Sequence, residues 1–263
     1  MKTFKNKKVI LTGAVGGIGS ELAKLLADEG AKLILISSNE EKLKKLSAEI
    51  KDSNYVVADF SSHQGIKDAA AIISEIDNVD CLINLAGISY FGSFGLQKFD
   101  DIIKLYNVNT LAPVLLSQAV LPEMIKNNSG HIVNIGSIVG SIGFPFFTTY
   151  SSSKAALLSF CEALRREISQ SDVKVSYIAP RTVKTPINDE NVMEFHKKVG
   201  SKIDEPIAVA KKIMNVIIKE KKYCYFGFAE SKFVKINYLL PSLVDKALES
   251  QALIAREIIS TKL

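Results

Sequence analysis

Seven short, almost uninterrupted apolar runs, separated by longer amphipathic segments, restrict what this chain can fold into more than any other feature. They are KVILTG (8–13), KLILIS (32–37), YVVADF (55–60), DCLINLAG (80–87), HIVNIGS (131–137), KVSYIAP (174–180) and YCYFGF (223–228). A strand with one wet face alternates apolar and polar residues, whereas a strand covered on both faces reads as continuously apolar, as in a parallel sheet between two helical layers. Segments 18–29, 40–51, 64–76, 98–126, 151–170 and 205–220 carry apolar residues at helical spacing, and Gly30 stands as a C-terminal stop for the first of them. Strand and helix in regular alternation imply a doubly wound α/β fold on a seven-stranded parallel sheet. No repeat, low-complexity tract or Pro/Gly/Ser linker interrupts the chain, so a single domain is expected over 1–263. Two stretches fit the alternation poorly: 181–204, expected to be a substrate loop, and 229–263, expected to be a C-terminal lid or interface segment.

Composition narrows the function classes. A chain of 263 residues with 47% apolar content can bury a substantial core, which excludes global disorder. The net charge of +5 includes local basic groups at Lys2, Lys5, Lys7 and Lys8 and at Lys42, Lys44 and Lys45. Solvated helix faces explain so mild a bias better than a nucleic-acid footprint does. Cys81, Cys161 and Cys224 show neither disulfide nor zinc spacing, which fits a reducing, cytoplasmic setting. The N-terminal apolar run is too short for a signal peptide, and no stretch is read as approaching the roughly 20 apolar residues that span a bilayer.

The first strand runs straight into TGAVGGIGSELAKLL, with Gly13, Gly17 and Gly19 opening an amphipathic helix. This GxxxGxG spacing provides a tight turn, close backbone approach and helix N-terminal amides facing an anion, which suits a dinucleotide pyrophosphate and gives the fold a Rossmann character. No Lys-Ser/Thr follows the glycines, so a P-loop is disfavoured. Further on, TTYSSSKAAL places Tyr150 and Lys154 four positions apart at a helix start, where they share a face. About one Tyr-x-x-x-Lys spacing is expected by chance in a chain of this composition, so the pair gains meaning only from its surroundings.

Those surroundings are ordered: TGxxxGxG (Thr12 to Gly19), NLAG (Asn84 to Gly87), Asn109 in NVNT, Ser137 in NIGS thirteen residues before Tyr150, then Tyr150 and Lys154. Over roughly residues 6–187 the chain resembles the short-chain dehydrogenase/reductase family in its compact single-domain branch. The resemblance implies a nicotinamide-dependent oxidoreductase acting on CH–OH or C=O without a metal. Tyr150 would be the general acid for carbonyl reduction, or the base for alcohol oxidation. Lys154 and the oxidised nicotinamide would lower its pKa from about 10, and Lys154 would also bind the ribose. Ser137 would hydrogen-bond the substrate oxygen, and Asn109 would hold a water linking Lys154 to solvent. The implied cofactor contacts are Gly13, Val15, Gly17, Ile18, Gly19, Ser37, Ser38, Asn39, Asp59, Phe60, Asn84, Ala86, Gly87, Tyr150, Lys154, Pro180, Val183 and Thr185. For Asn84 a structural tie across the sheet stands as an equal reading, and His63, His131 and His196 receive no role.

The resemblance also implies a homodimer or homotetramer, and it leaves a non-catalytic dinucleotide sensor or scaffold as the alternative, against which the intact Asn109, Ser137, Tyr150, Lys154 set speaks. Two departures stand out: Leu85 where an Asn is usual, and Arg181 where Gly commonly follows the proline. Arg181 could reach an anionic group or pair with a nearby acid at the surface. At the end of the second strand Ser37, Ser38 and Asn39 replace the carboxylate that NAD enzymes of this fold use, so NADP(H) is expected in preference to NAD(H). Ile88, Tyr90, Phe91, Ile142, Phe144, Phe146 and Phe147 suggest a hydrophobic substrate. The apolar, basic tail could cover that pocket, pack on a second subunit or lie on a membrane surface, with lid or subunit contact favoured.

Overall fold

The computed structural model describes residues 3–260; Lys2 and the outer ends of the expected domain, 1–2 and 261–263, lie outside the described residues. Strands β1 (Lys8–Thr12), β2 (Lys32–Ser37), β3 (Ser53–Val57), β4 (Cys81–Asn84), β5 (His131–Ile135), β6 (Lys174–Ala179) and β7 (Tyr223–Tyr225) form one sheet. Their order is β3-β2-β1-β4-β5-β6-β7, and every neighbouring pair is parallel.

The apolar continuity of the strands has a direct cause, because alternate residues feed two separate cores. Ile10, Leu82 and Ile132 pack on one face with Ile73, Leu116 and Leu158. Those three come from helices α3 (His63–Ser74), α5 (Ala112–Lys126) and α6 (Thr148–Glu167). Val9, Leu11, Leu33, Ile83 and Val133 pack on the other face with Leu22 and Ile213, from α1 (Gly17–Asp28) and α8 (Pro206–Ile218). Each fully buried aliphatic side chain contributes about 1.5–3 kcal/mol of transfer free energy, so both layers are well anchored. The chain leaves β1 toward β2 on one side and later returns to β4 on the other. That reversal opens a crevice at the strand C-termini, where ligands of such sheets bind.

The segment 98–126 is helical, in three pieces: α4 (Phe99–Tyr106), a π-helical turn over Asn107–Leu111, and α5. The 28 residues Phe99–Lys126 are long and apolar enough to cross a membrane by length and composition, contrary to the expectation that no segment approaches that size. Its Leu105, Val108, Ala112, Leu116, Val120 and Met124 are instead buried inside the protein. The two irregular stretches also fold. Residues 181–204 contain α7 (Glu190–Lys198), capped by Asp189, whose side chain accepts from Val192 N at 2.9 Å. The tail forms α9 (Phe228–Leu239) and α10 (Pro241–Ser260), a helical hairpin. A small third core of Phe147, Val192, Phe195, Ala255 and Ile258 joins the start of α6 to α7 and α10.

Candidate active site

Strand β5 ends at Ile135, and Ser137 follows in extended conformation with its Oγ accepting from Val139 N at 3.4 Å. Helix α6 passes beside this strand end with Tyr150 in its first turn and Lys154 one turn on. Ser137, Tyr150 and Lys154 line one cavity of about 270 Å³, together with Gly87, Pro180, Val183 and Thr185. Lys154 is buried, and its ammonium donates to the carbonyl of Ile135 at 3.0 Å, which holds it at the strand end next to Ser137.

Burial pushes the Tyr150 phenol above its ordinary value, with hydrogen bonding to Ser137 pulling the other way. Burial also brings Lys154 down to about 8. The lowering of Tyr150 expected from Lys154 is therefore not met by the protein's own groups: desolvation of the phenol dominates, and the ammonium is engaged by a backbone carbonyl. The phenol is thus protonated near neutrality, the state required of a proton donor.

Asn109 sits in the π-helical turn, fully buried. Its Oδ1 accepts from Ile88 N at 2.9 Å, and its Nδ2 donates to Ile88 O at 2.9 Å and Ser153 Oγ at 3.1 Å. These bonds tie the loop after β4 to α6. A Cβ on Gly87 would lie 3.3 Å from Asn109 Oδ1 and 3.4 Å from Lys154 Nζ, which explains why a residue without a side chain stands between them.

The glycine turn lies in a second cleft of about 760 Å³ that shares Ile18, Leu85, Gly87, Thr185 and Ile187 with the first. Gly13 adopts φ +65°, and a Cβ there would come 2.9 Å from Ala86 Cα. A Cβ on Gly19 would collide with the carbonyl oxygen of Gly13. Thr12 Oγ1 accepts from Leu85 N and Ala86 N, both at 3.0 Å, and so fixes the two walls of the cleft to each other. No side chain caps α1, which leaves its first amides for an anion. Val15, Ser37, Ser38, Asn39, Lys42, Asp59, Phe60 and Ala86 line the same cleft. Hydrogen bonds from Ser61 hold the Asp59 carboxyl below the usual carboxylate range. A backbone cradle closed to side chains, a bare helix N-terminus and a cleft that shares a wall with the cavity of Tyr150 fit a nicotinamide dinucleotide.

Asn84 departs from the expected cofactor set. It lines neither cavity, and its Nδ2 donates to Asn134 Oδ1 at 2.9 Å, with longer approaches to Pro113 O and Ser117 Oγ at 3.4 Å. Its side chain therefore serves as a tie from β4 to β5 and α5. Arg181 pairs with acids but is largely buried, not at the surface. Its Nε and Nη2 bind both oxygens of Asp204 at 3.0 and 2.8 Å, and its Nη1 binds Glu230 at 3.1 Å. Burial pushes the Asp204 carboxyl up, yet the bonds and charge of Arg181 outweigh it and leave the group below its usual value. The guanidinium thus fastens the 181–204 segment and α9 together over the cavity.

Three further residues escape a motif-based reading. His196 of α7 lines the cavity, bonded to Thr182 Oγ1 at 2.9 Å through Nε2, and burial brings it down to about 4, so its imidazole is neutral. Phe233 extends the aromatic wall from the tail. Tyr177 on β6 is fully buried, and its hydroxyl accepts from Ser137 N at 3.3 Å and faces the carbonyls of Ser137 at 3.2 Å and Lys154 at 3.4 Å. Its ring fills the space that a side chain on Gly136 would take, and its hydroxyl oxygen would be 2.7 Å from a Cβ on Gly140. Tyr177 therefore positions two of the three candidate catalytic groups at once. Tyr177→Phe is expected to lower kcat by about tenfold while leaving cofactor Kd unchanged, since only hydrogen bonds worth about 1 kcal/mol are lost, and steady-state kinetics with a cofactor titration checks this.

Comparison with known proteins agrees with this geometry. Residues 7–194 match the family described as short chain dehydrogenase. The chain is 35% identical over 266 residues to Dehydrogenase/reductase SDR family member 7B of Mus musculus, covering 95% of this chain and 82% of that protein. It is also 35% identical over 190 residues to a 3-oxoacyl-acyl-carrier-protein reductase of Rickettsia typhi, covering 72% and 78%. Among solved structures, a short-chain dehydrogenase from Sphingobium yanoikuyae in complex with NADPH matches with a TM-score of 0.78 at 24% identity, over 93% of this chain and 95% of that one. A short-chain dehydrogenase/reductase from Burkholderia phymatum in complex with NAD gives a TM-score of 0.81 at 23% identity, over 92% and 96%. At those identities the structural likeness speaks to the fold, while the sequence matches speak to descent. This chain belongs to the short-chain dehydrogenase/reductase family of NAD(P)-dependent oxidoreductases.

Proposed function

We propose that the protein is a carbonyl reductase that prefers NADPH and acts on a substrate with a hydrophobic body. The observation that carries this reading is the convergence of Ser137, Tyr150 and Lys154 on one cavity that opens into the glycine-turn cleft. The bound nicotinamide would supply hydride to the substrate carbon. Ser137 donates to the carbonyl oxygen, Tyr150 gives it a proton, and Lys154, one helical turn on, brings positive charge into the same cavity. The walls contributed by Ile138, Val139, Phe144, Phe147, Ile187 and Phe233 exclude water and favour an apolar body over a sugar. Purified protein incubated with NADPH and a panel of ketones and aldehydes tests the reading. Turnover of aromatic or long-chain ketones supports it, and faster turnover of polar sugars would sink the assignment of the pocket.

The cofactor preference rests on the end of β2. Ser37, Ser38, Asn39 and Lys42 line the cleft there, and none of them repels a 2′-phosphate. Asn39 Oδ1 is already used to cap α2 (Glu40–Glu49), accepting from Lys42 N at 2.9 Å, so the hydroxyls, the neighbouring amides and the Lys42 ammonium are the groups left for phosphate. Ser37→Asp is expected to shift the ratio of kcat/KM toward NADH by about tenfold, equivalent to about 1.4 kcal/mol. Tighter binding of NADH than NADPH by the unsubstituted protein would contradict the preference.

A further inference from the structure

The C-terminal hairpin has two unlike faces. Its inner side closes over the cavity through Glu230 and Phe233 of α9 and Gln251 of α10, and Val234, Val244 and Leu248 join the main core. Its outer side is apolar and uncovered: Phe228 and Leu239 are each 79% exposed, and Tyr238, Leu240 and Leu243 are exposed beside them. Phe228, Lys232, Ile236 and Leu239 follow helical spacing along one side of α9, and Leu243, Lys246 and Leu253 do so along α10. Between them, Pro241 stops one helix and starts the next, which brings Leu239, Leu240 and Leu243 to the tip of the hairpin. Single exposed apolar residues are ordinary, whereas a contiguous group of this size marks an interaction surface.

The distribution of charge indicates what covers it. Lys232, Lys235 and Lys246 stand among these residues, and Lys232 Nζ lies 4.3 Å from the centre of the Phe228 ring. Of the acids of the same two helices, Glu230 binds Arg181, Glu257 lies 3.8 Å from Lys198, and Asp245 and Glu249 line a groove against residues of the 139–155 segment. A two-fold contact of this face with a second copy would set lysines against lysines. An anionic lipid surface satisfies both features, because the leucines can enter the acyl boundary while lysine stems lie along it and place their ammonium groups at phosphate level. We propose that the connection between α9 and α10 docks the protein on anionic membranes, with the cavity beneath the hairpin facing the bilayer surface. This docking stands independently of the reaction assigned above.

Flotation of the full chain with phosphatidylcholine vesicles, with and without phosphatidylserine, tests the proposal. Recovery with anionic vesicles is expected to exceed that with neutral ones by about tenfold and to fall as salt is raised. The combined variant Leu239→Ser, Leu240→Ser, Leu243→Ser should lose recovery while keeping its cofactor Kd and unfolding midpoint, and Lys232→Gln, Lys235→Gln, Lys246→Gln should abolish the preference for anionic vesicles. Three results would overturn the proposal: no recovery on either vesicle, equal recovery on both, or a wild-type dimer that the leucine variant converts to monomer without any vesicle binding.

Discussion

Tyr150→Phe is expected to reduce turnover by about 10²–10⁴-fold while leaving cofactor affinity nearly intact. The substitution removes one hydroxyl and keeps the ring, which packs 6.3 Å from Phe147 in the small aromatic core, so the fold and the cavity wall persist. What disappears is the proton that burial keeps on the phenol, against the opposing pull of Ser137. Because the phenol is raised above its ordinary value, the wild type should also retain carbonyl-reducing activity through neutral pH instead of losing it to early ionisation. Single-turnover measurements beside a fluorescence titration of reduced cofactor check both halves. A variant with activity near wild type would remove Tyr150 from the chemistry.

Lys154→Met should produce an effect of similar size on turnover and should change how stability depends on pH. Burial holds Lys154 at about 8 against an ordinary value of 10.5, so between those limits the unfolded chain carries a proton that the folded protein lacks. Stability contributed at this position therefore rises as pH increases from about 8 to about 10.5, and the charged form costs about 3 kcal/mol below that window. Methionine removes that cost but leaves the Ile135 carbonyl without its donor, a loss of about 1–3 kcal/mol, so the net change at neutral pH is small. The difference between wild type and variant, followed by chemical denaturation across the window, isolates the lysine. Wild-type stability should gain on the variant as pH rises, and turnover and cofactor affinity should both be damaged in the variant. A buried cation that costs stability yet lines the cavity with Ser137 and Tyr150 is what a catalytic role would retain.

The sheet was legible because double-sided burial writes itself into composition: the runs at Val9–Leu11 and Leu33–Ile36 are apolar throughout, since each residue meets one core or the other. Edges were less legible. The strand expected over 55–60 lies at Ser53–Val57, where the sheet ends and Val57 is exposed, so apolar content alone sets its limits poorly. Helix α7 buries only Val192 and Phe195, and α9 only Val234, stripes too thin to register as periodicity. At the site, Ser137, Tyr150 and Lys154 are tied by short sequence separation and by one helix and one strand end, which motif spacing captures. His196, Arg181 and Glu230 reach the cavity, Tyr177 its supporting backbone and Asp204 its Arg181 partner, all through tertiary packing, and spacing carries no trace of that. Asn84 shows the reverse case, in which a motif position makes a structural bond across the fold.

The most direct measurement uses reduced NADPH deuterated at the transferring position of the nicotinamide, purified wild-type protein and an apolar ketone, with the product alcohol analysed by mass spectrometry and NMR. Deuterium on the carbinol carbon, absent when Tyr150→Phe replaces the wild type, is the result this account predicts. Cofactor that binds tightly but transfers no deuterium to any ketone or aldehyde in the panel would contradict it and leave the protein a dinucleotide binder.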